Sequence, residues 1–144
     1  MTDQLGQPPK SFYWIAGIAL VWNLFGVMAY INQVTMSADM LAALPDATRT
    51  FFENQPSWVT GVYAIAVNAG ALACVLLLLR KSLAVPVFIV SLACVLMQFS
   101  YNYLIADGVA VFGRSSLAVP ISITIIGAGL VKYSLDAKAR GWLS

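Results

Sequence analysis

Residues 58–105 read WVTGVYAIAVNAGALACVLLLLRKSLAVPVFIVSLACVLMQFSYNYLI. The only charged residues in this stretch are Arg80 and Lys81, side by side between two long apolar runs. Crossing a hydrocarbon core of about 30 Å takes about 20 apolar residues at ~1.5 Å each. Trp58 to Leu79 and Leu83 to Ile105 each meet that length, so the stretch predicts two membrane-spanning helices. With little more than Arg80, Lys81 and Ser82 between them, the two helices have to form an antiparallel hairpin.

Working outward, Phe12 to Ile31 supplies an equivalent run before the hairpin. Leu117 to about Leu135 supplies another after it, broken only by Lys132 near its end, where a lysine snorkels to the interface. No aspartate or glutamate lies inside any of the four. The composition agrees: of 144 residues 60% are hydrophobic and 10% charged, against about 25% charged in soluble domains, and the mean hydropathy is +0.83. The expected fold is an all-α membrane protein, one domain over residues 1–144, with four helices at about 12–31, 58–79, 83–105 and 117–135 in an antiparallel bundle. The first run is longer than the ~7 to 15 residues of a signal-peptide core and no small-residue cleavage site follows it, so it reads as a retained helix.

Lysine and arginine set the expected orientation. With both termini cytoplasmic, Lys10, Arg80, Lys81, Lys132, Lys138 and Arg140 lie inside and only Arg49 and Arg114 outside. The net charge of +2 implies no nucleic-acid partner. In this orientation the longest connection, Asn32 to Ser57, is an outer loop. There Ser37 is placed to cap a short helix ending before Pro45, and Asp46 to start another carrying Phe51 and Phe52. Such a loop lies on the bilayer surface as an interfacial element, or serves as a lid or docking surface. Trp14, Trp58 and Tyr133 fall near helix ends, where amphipathic aromatics settle, and Trp142 follows the basic pair Lys138 and Arg140.

The heptapeptide RKSLAVP at 80–86 returns as RSSLAVP at 114–120. In both, proline stands in the first turn of a predicted helix, where its missing N–H costs little, and a serine is available to cap free donors. The same segments could belong to an inverted repeat of the kind that builds transporters. The only other internal match, LACVL at 72–76 and 92–96, has a different period, which favours helix-start chemistry.

The chain has no histidine, which removes His-based triads and the usual imidazole metal site. Cys74 and Cys94 lie at depths that differ by roughly 10 Å, too far apart for a disulfide, and read as small packing residues. No ionisable residue occupies the centre of a span, so a self-contained proton relay is not expected. Ala66, Gly70 and Cys74 recur every fourth residue and predict a close helix interface. Asn23 and Asn68 fall near the midplane, where their common depth suggests an amide contact between the first and second helices, and Tyr63, Gln98 and Thr124 lie about 8 to 10 Å from the outer surface, with Tyr101, Asn102 and Tyr103 above them. Ser91, Cys94, Gln98 and Tyr101 or Asn102 share one face of the third helix. These polar groups either hydrogen-bond between helices or line a shallow outward pocket for an uncharged solute.

Trp22 and Asn23, LAALP at 41–45, LLLLRK at 76–81 followed by LAVPVFIVSL, and the closing GWL resemble a group of small four-helix proteins of the bacterial inner membrane. Members of that group often carry a sugar-transporter label. The resemblance implies a bacterial inner-membrane location, with which the absence of an N-x-S/T sequon agrees, and it supplies no catalytic or binding residues to carry over; no catalytic residue and no cofactor are expected from the residues themselves. The leading functional expectation is a non-enzymatic accessory or structural subunit, in contact with membrane lipid and with itself or a larger membrane complex. The alternative is a homo-oligomeric transporter of a small sugar-like solute.

Overall fold

Four helices in the computed structural model, which describes residues 6–144, are long and apolar enough to cross a membrane. They are α1 (Lys10–Val34), α4 (Ser57–Leu78), α5 (Ala84–Ser100), which runs on through a π-helical turn (Tyr101–Ile105), and α7 (Ala118–Ala139), entered by a 3₁₀ turn (Arg114–Leu117). Three short helices complete the chain: α2 (Ala38–Ala42), α3 (Asp46–Glu53) and α6 (Gly108–Phe112). Among the described residues there is no strand. Trp14 and Leu104 are 73% and 82% exposed, and exposed large apolar side chains recur along every long helix. Such surface suits hydrocarbon, where the backbone is satisfied inside each helix and apolar side chains face lipid.

Both LAVP segments begin helices, and Pro86 and Pro120 stand in the first turns of α5 and α7. The serines do not cap them. The residue before each helix, Leu83 or Leu117, makes no side-chain cap, and Ser116 Oγ donates instead to the Gly113 carbonyl at 2.6 Å. A proline in the first turn already removes one orphan donor, which leaves less for a cap to do.

The long helices pack in order, α1 on α4, α4 on α5 and α5 on α7, and α1 and α7 form no comparable seam. Packing is also uneven along the helices. The buried core comprises the start of α1 (Phe12, Ala16, Ala19), the end of α4 (Ala73, Cys74, Leu77), the start of α5 (Ala84, Val85, Phe88) and the end of α7 (Leu130, Ala137). These segments share one end of the molecule, marked by the Arg80 turn and here called the hairpin end.

The tail closes that end. Arg80, in the left-handed conformation at φ 60°, donates from Nε to the Trp142 carbonyl at 2.8 Å and from Nη2 to the Gly6 carbonyl at 3.3 Å. Ser144 N–H donates to the Arg80 carbonyl at 2.8 Å, and Ser82 N–H to the Ser144 carbonyl at 2.9 Å. Fully buried Phe12 lies between Tyr133 (6.2 Å, stacked) and Trp142 (5.7 Å, edge-on). Two segments far apart in sequence, at Gly6 and at Trp142 to Ser144, are thus tied to one turn.

The opposite end, the loop end, carries α2, α3 and α6. Ser37 Oγ accepts from Met40 N–H at the start of α2, and Arg49 pairs with Asp46 within α3. Phe51 and Phe52 of α3 pack on Phe112 of α6. Gln33 Nε2 donates to Gln55 Oε1 at 3.0 Å and Gln55 Nε2 to Asn102 Oδ1 at 3.3 Å, which ties α1, the segment after α3 and the π turn together. Asp107 at φ 53° and Gly113 at φ 86° turn the chain into and out of α6.

Candidate functional site

Because the core fills the hairpin half and α1 and α7 form no seam, the loop half is left with a cleft of about 440 Å³. Trp22, Phe25 and Ala29 of α1 line one wall and Val119, Ile123 and Ile126 of α7 the other, over a floor from α4 and α5. Four polar side chains interrupt this apolar lining: Asn23, Tyr63, Ser91 and Gln98. No carboxylate, amine or guanidinium is among the lining residues.

The floor is built around Gly70. A methyl group there would come within 2.2 Å of Asn23 Oδ1 and 3.1 Å of Ser91 Oγ. The missing side chain is therefore what lets α1 and α5 seat on α4 together. Asn23 Nδ2 donates to the Ala19 carbonyl at 2.8 Å and reaches Cys74 Sγ at 3.4 Å. Ser91 Oγ donates to the Ala66 carbonyl at 2.7 Å. Ala66, Gly70 and Cys74 form one buried face, and that face is used inside the chain, where α1 and α5 cover it.

The sequence-derived polar set divides. Asn23, Tyr63 and Gln98 meet in the cleft. Asn68 does not pair with Asn23: it is exposed and donates to its own Ala64 carbonyl at 2.8 Å. Equal depth along two helices leaves the rotation of each about its axis free, and here the two amides point to different faces. Thr124 is half-buried outside the cleft lining. Tyr101 packs edge-on against Trp58 at 5.4 Å and Asn102 belongs to the Gln55 chain, so both organise the loop end. Ser91 was legible as part of the polar face of the third helix. Its place beneath Gly70 was not, since that depends on which face α4 turns toward α5.

Cys74 is buried on α4 and Cys94 half-buried on α5, both as free thiols. Mild oxidation of the protein in membranes is expected to leave both unlinked, as read by mass under non-reducing conditions. An intramolecular disulfide would require a shift of about two helical turns between α4 and α5.

No protein-family model matches the chain, and neither curated proteins nor solved structures give a significant match.

Proposed function

We propose that this chain is a small multi-pass protein of a bacterial inner membrane, with both termini cytoplasmic, acting as a non-enzymatic accessory subunit. The observation that carries this reading is the blind cleft. A transport path has to open alternately to both sides and stay solvated along its length. Here the hairpin half is packed, with Phe12, Ala16, Ala73, Leu77, Ala84 and Ala137 fully buried, and the Arg80 turn is bonded over by the tail. A cleft lined almost wholly by hydrocarbon and closed at one end favours holding something over passing a sugar. The lack of charged groups along it likewise disfavours acid–base chemistry.

With the small-residue face of α4 consumed inside the chain, contact with a second copy or a larger complex falls to the exposed helix faces and the loop end. The asymmetry of basic residues supports placing the hairpin end in the cytoplasm. Reporter fusions after Arg80 and at the C-terminus are expected to read cytoplasm, and one near Asp46 the outside; an outward C-terminus would overturn the orientation. Purified protein in proteoliposomes is expected to take up radiolabelled hexose no faster than empty liposomes. Saturable uptake would overturn the accessory reading and reinstate the homo-oligomeric transporter.

A further inference from the structure

Gln98 is 94% buried by its 6% exposure and lines the cleft. Among the described residues its side-chain amide has no hydrogen-bond partner, yet neither amide atom is sealed off by the protein, so the amide meets the open space of the cleft. The Tyr63 hydroxyl, in the same lining, is likewise unbonded among the described residues; its ring is held edge-on by Tyr30 at 5.3 Å. The other two polar groups of the lining are engaged: Asn23 and Ser91 both donate within the chain. An amide facing hydrocarbon without a partner costs several kcal/mol, about 2 to 7 depending on the reference. A side chain as large as glutamine at this position therefore points to a bound group that supplies the missing hydrogen bond.

The surroundings define that group. With no charged residue in the lining, an ionic ligand would be desolvated without compensation, so the ligand is neutral. Gln98 stands seven residues before the end of the π turn, roughly 10 Å along the helix, below the level where a phospholipid keeps its charged headgroup. Ten residues of α5 separate Gln98 from Phe88 at the closed end, roughly 15 Å of apolar floor. A polyhydroxylated sugar would leave most of its hydroxyls unpaired against that floor.

We infer that the cleft binds a neutral amphipathic lipid, an apolar body bearing one hydroxyl or carbonyl, with its polar atom on the Gln98 amide and its body between α1 and α7. The inference rests on the reading of the cleft as blind and non-transporting. The Gln98 amide both donates and accepts, so it serves a hydroxyl or a carbonyl, and the Tyr63 hydroxyl is a second partner for either. The absence of a seam between α1 and α7 gives such a molecule a lateral route from the bilayer.

The test uses the full chain in phosphatidylcholine nanodiscs with two photoreactive probes, a hexadecanol carrying a mid-chain diazirine and the corresponding hexadecane without the hydroxyl. The alcohol is expected to label cleft-lining segments of α1, α5 and α7 preferentially. Gln98→Leu should cut that labelling on the order of tenfold, and Tyr63→Phe a few-fold, as loss of a buried hydrogen-bond partner does. Labelling by the hydrocarbon should be unchanged in both variants. Tyr63→Phe removes one oxygen only, so it reports even if Gln98→Leu were to alter the helix packing. Equal labelling by both probes, insensitive to the variants, would mean that ordinary bilayer chains fill the cleft and would overturn the inference. So would the absence of labelling by either, which would mean a water-filled cleft. Both results are separate from hexose uptake, which tests the non-transporting reading itself.

Discussion

Gly70→Ala is expected to destabilise the protein by about 1 to 3 kcal/mol, although glycine to alanine inside a helix ordinarily stabilises it by roughly 1 kcal/mol. The sign reverses because the added methyl would lie 2.2 Å from Asn23 Oδ1 and 3.1 Å from Ser91 Oγ, and both contacts are with side chains of neighbouring helices. Asn23 cannot retreat freely, since its amide is held by the Ala19 carbonyl and Cys74 Sγ. Gly70→Val, with two more carbons in the same notch, should cost more than Gly70→Ala. Pairing Gly70→Ala with Asn23→Ala removes the nearest collision, so the double variant should approach the stability of Asn23→Ala alone, a non-additivity that marks direct contact. Reversible unfolding in mixed detergent micelles measures all four variants. A neutral or stabilising Gly70→Ala would mean that α1 does not seat Asn23 on α4.

Arg80→Ala is expected to cost about 2 to 4 kcal/mol, because a hydrogen bond from a charged group contributes ~1.5 to 3 kcal/mol: the bond to the Trp142 carbonyl at 2.8 Å is lost in full, and the longer one to the Gly6 carbonyl at 3.3 Å adds less. Alanine also inherits the left-handed backbone at φ 60°, a conformation that costs non-glycine residues roughly 1 to 2 kcal/mol. Arg80→Gly loses the same bonds and relieves that strain, so it should be the milder of the two. The same detergent unfolding measures the order, and limited proteolysis should show the segment after Ala139 becoming susceptible in Arg80→Ala. Equal stability of Arg80→Ala and the parent would mean that the tail is not held by this turn.

The two predicted effects sit at places of different legibility. The spans could be read because one rule governs them: hydrocarbon tolerates only uncharged runs of sufficient length, and Arg80 with Lys81 punctuates the chain between two of them. The close-packed face of Ala66, Gly70 and Cys74 was legible from its four-residue spacing, but the partners that fill it were not. Asn23 and Ser91 reach it only because α1 and α5 flank α4, and neighbour order among four apolar helices leaves little trace in composition. The polar layer was partly legible for the same reason. Depth follows from counting residues, whereas the azimuth that brings Gln98 and Tyr63 into the cleft and turns Asn68 away follows from packing. Arg80 read as a topological charge, and its contacts with Trp142 and Gly6 depend on segments 62 and 74 residues away. The pairing of Phe112 with Phe51 and Phe52 is similarly long-range.

The uneven core links these observations. Large side chains and the tail close the hairpin half, small residues and one glycine bring three helices together at mid-depth, and beyond that level α1 and α7 stand on either side of the cleft. The most direct measurement of this arrangement is disulfide scanning between α1 and α7 with a membrane-permeant oxidant, on a Cys74→Ala, Cys94→Ala background. A control pair across the close α4–α5 seam, Ala66 with Ser91, should crosslink, and a second set of pairs, combining Phe25 or Ala29 with Val119 or Ile123, should not. Crosslinks in the second set would describe a closed four-helix bundle without a cleft, and would contradict the account.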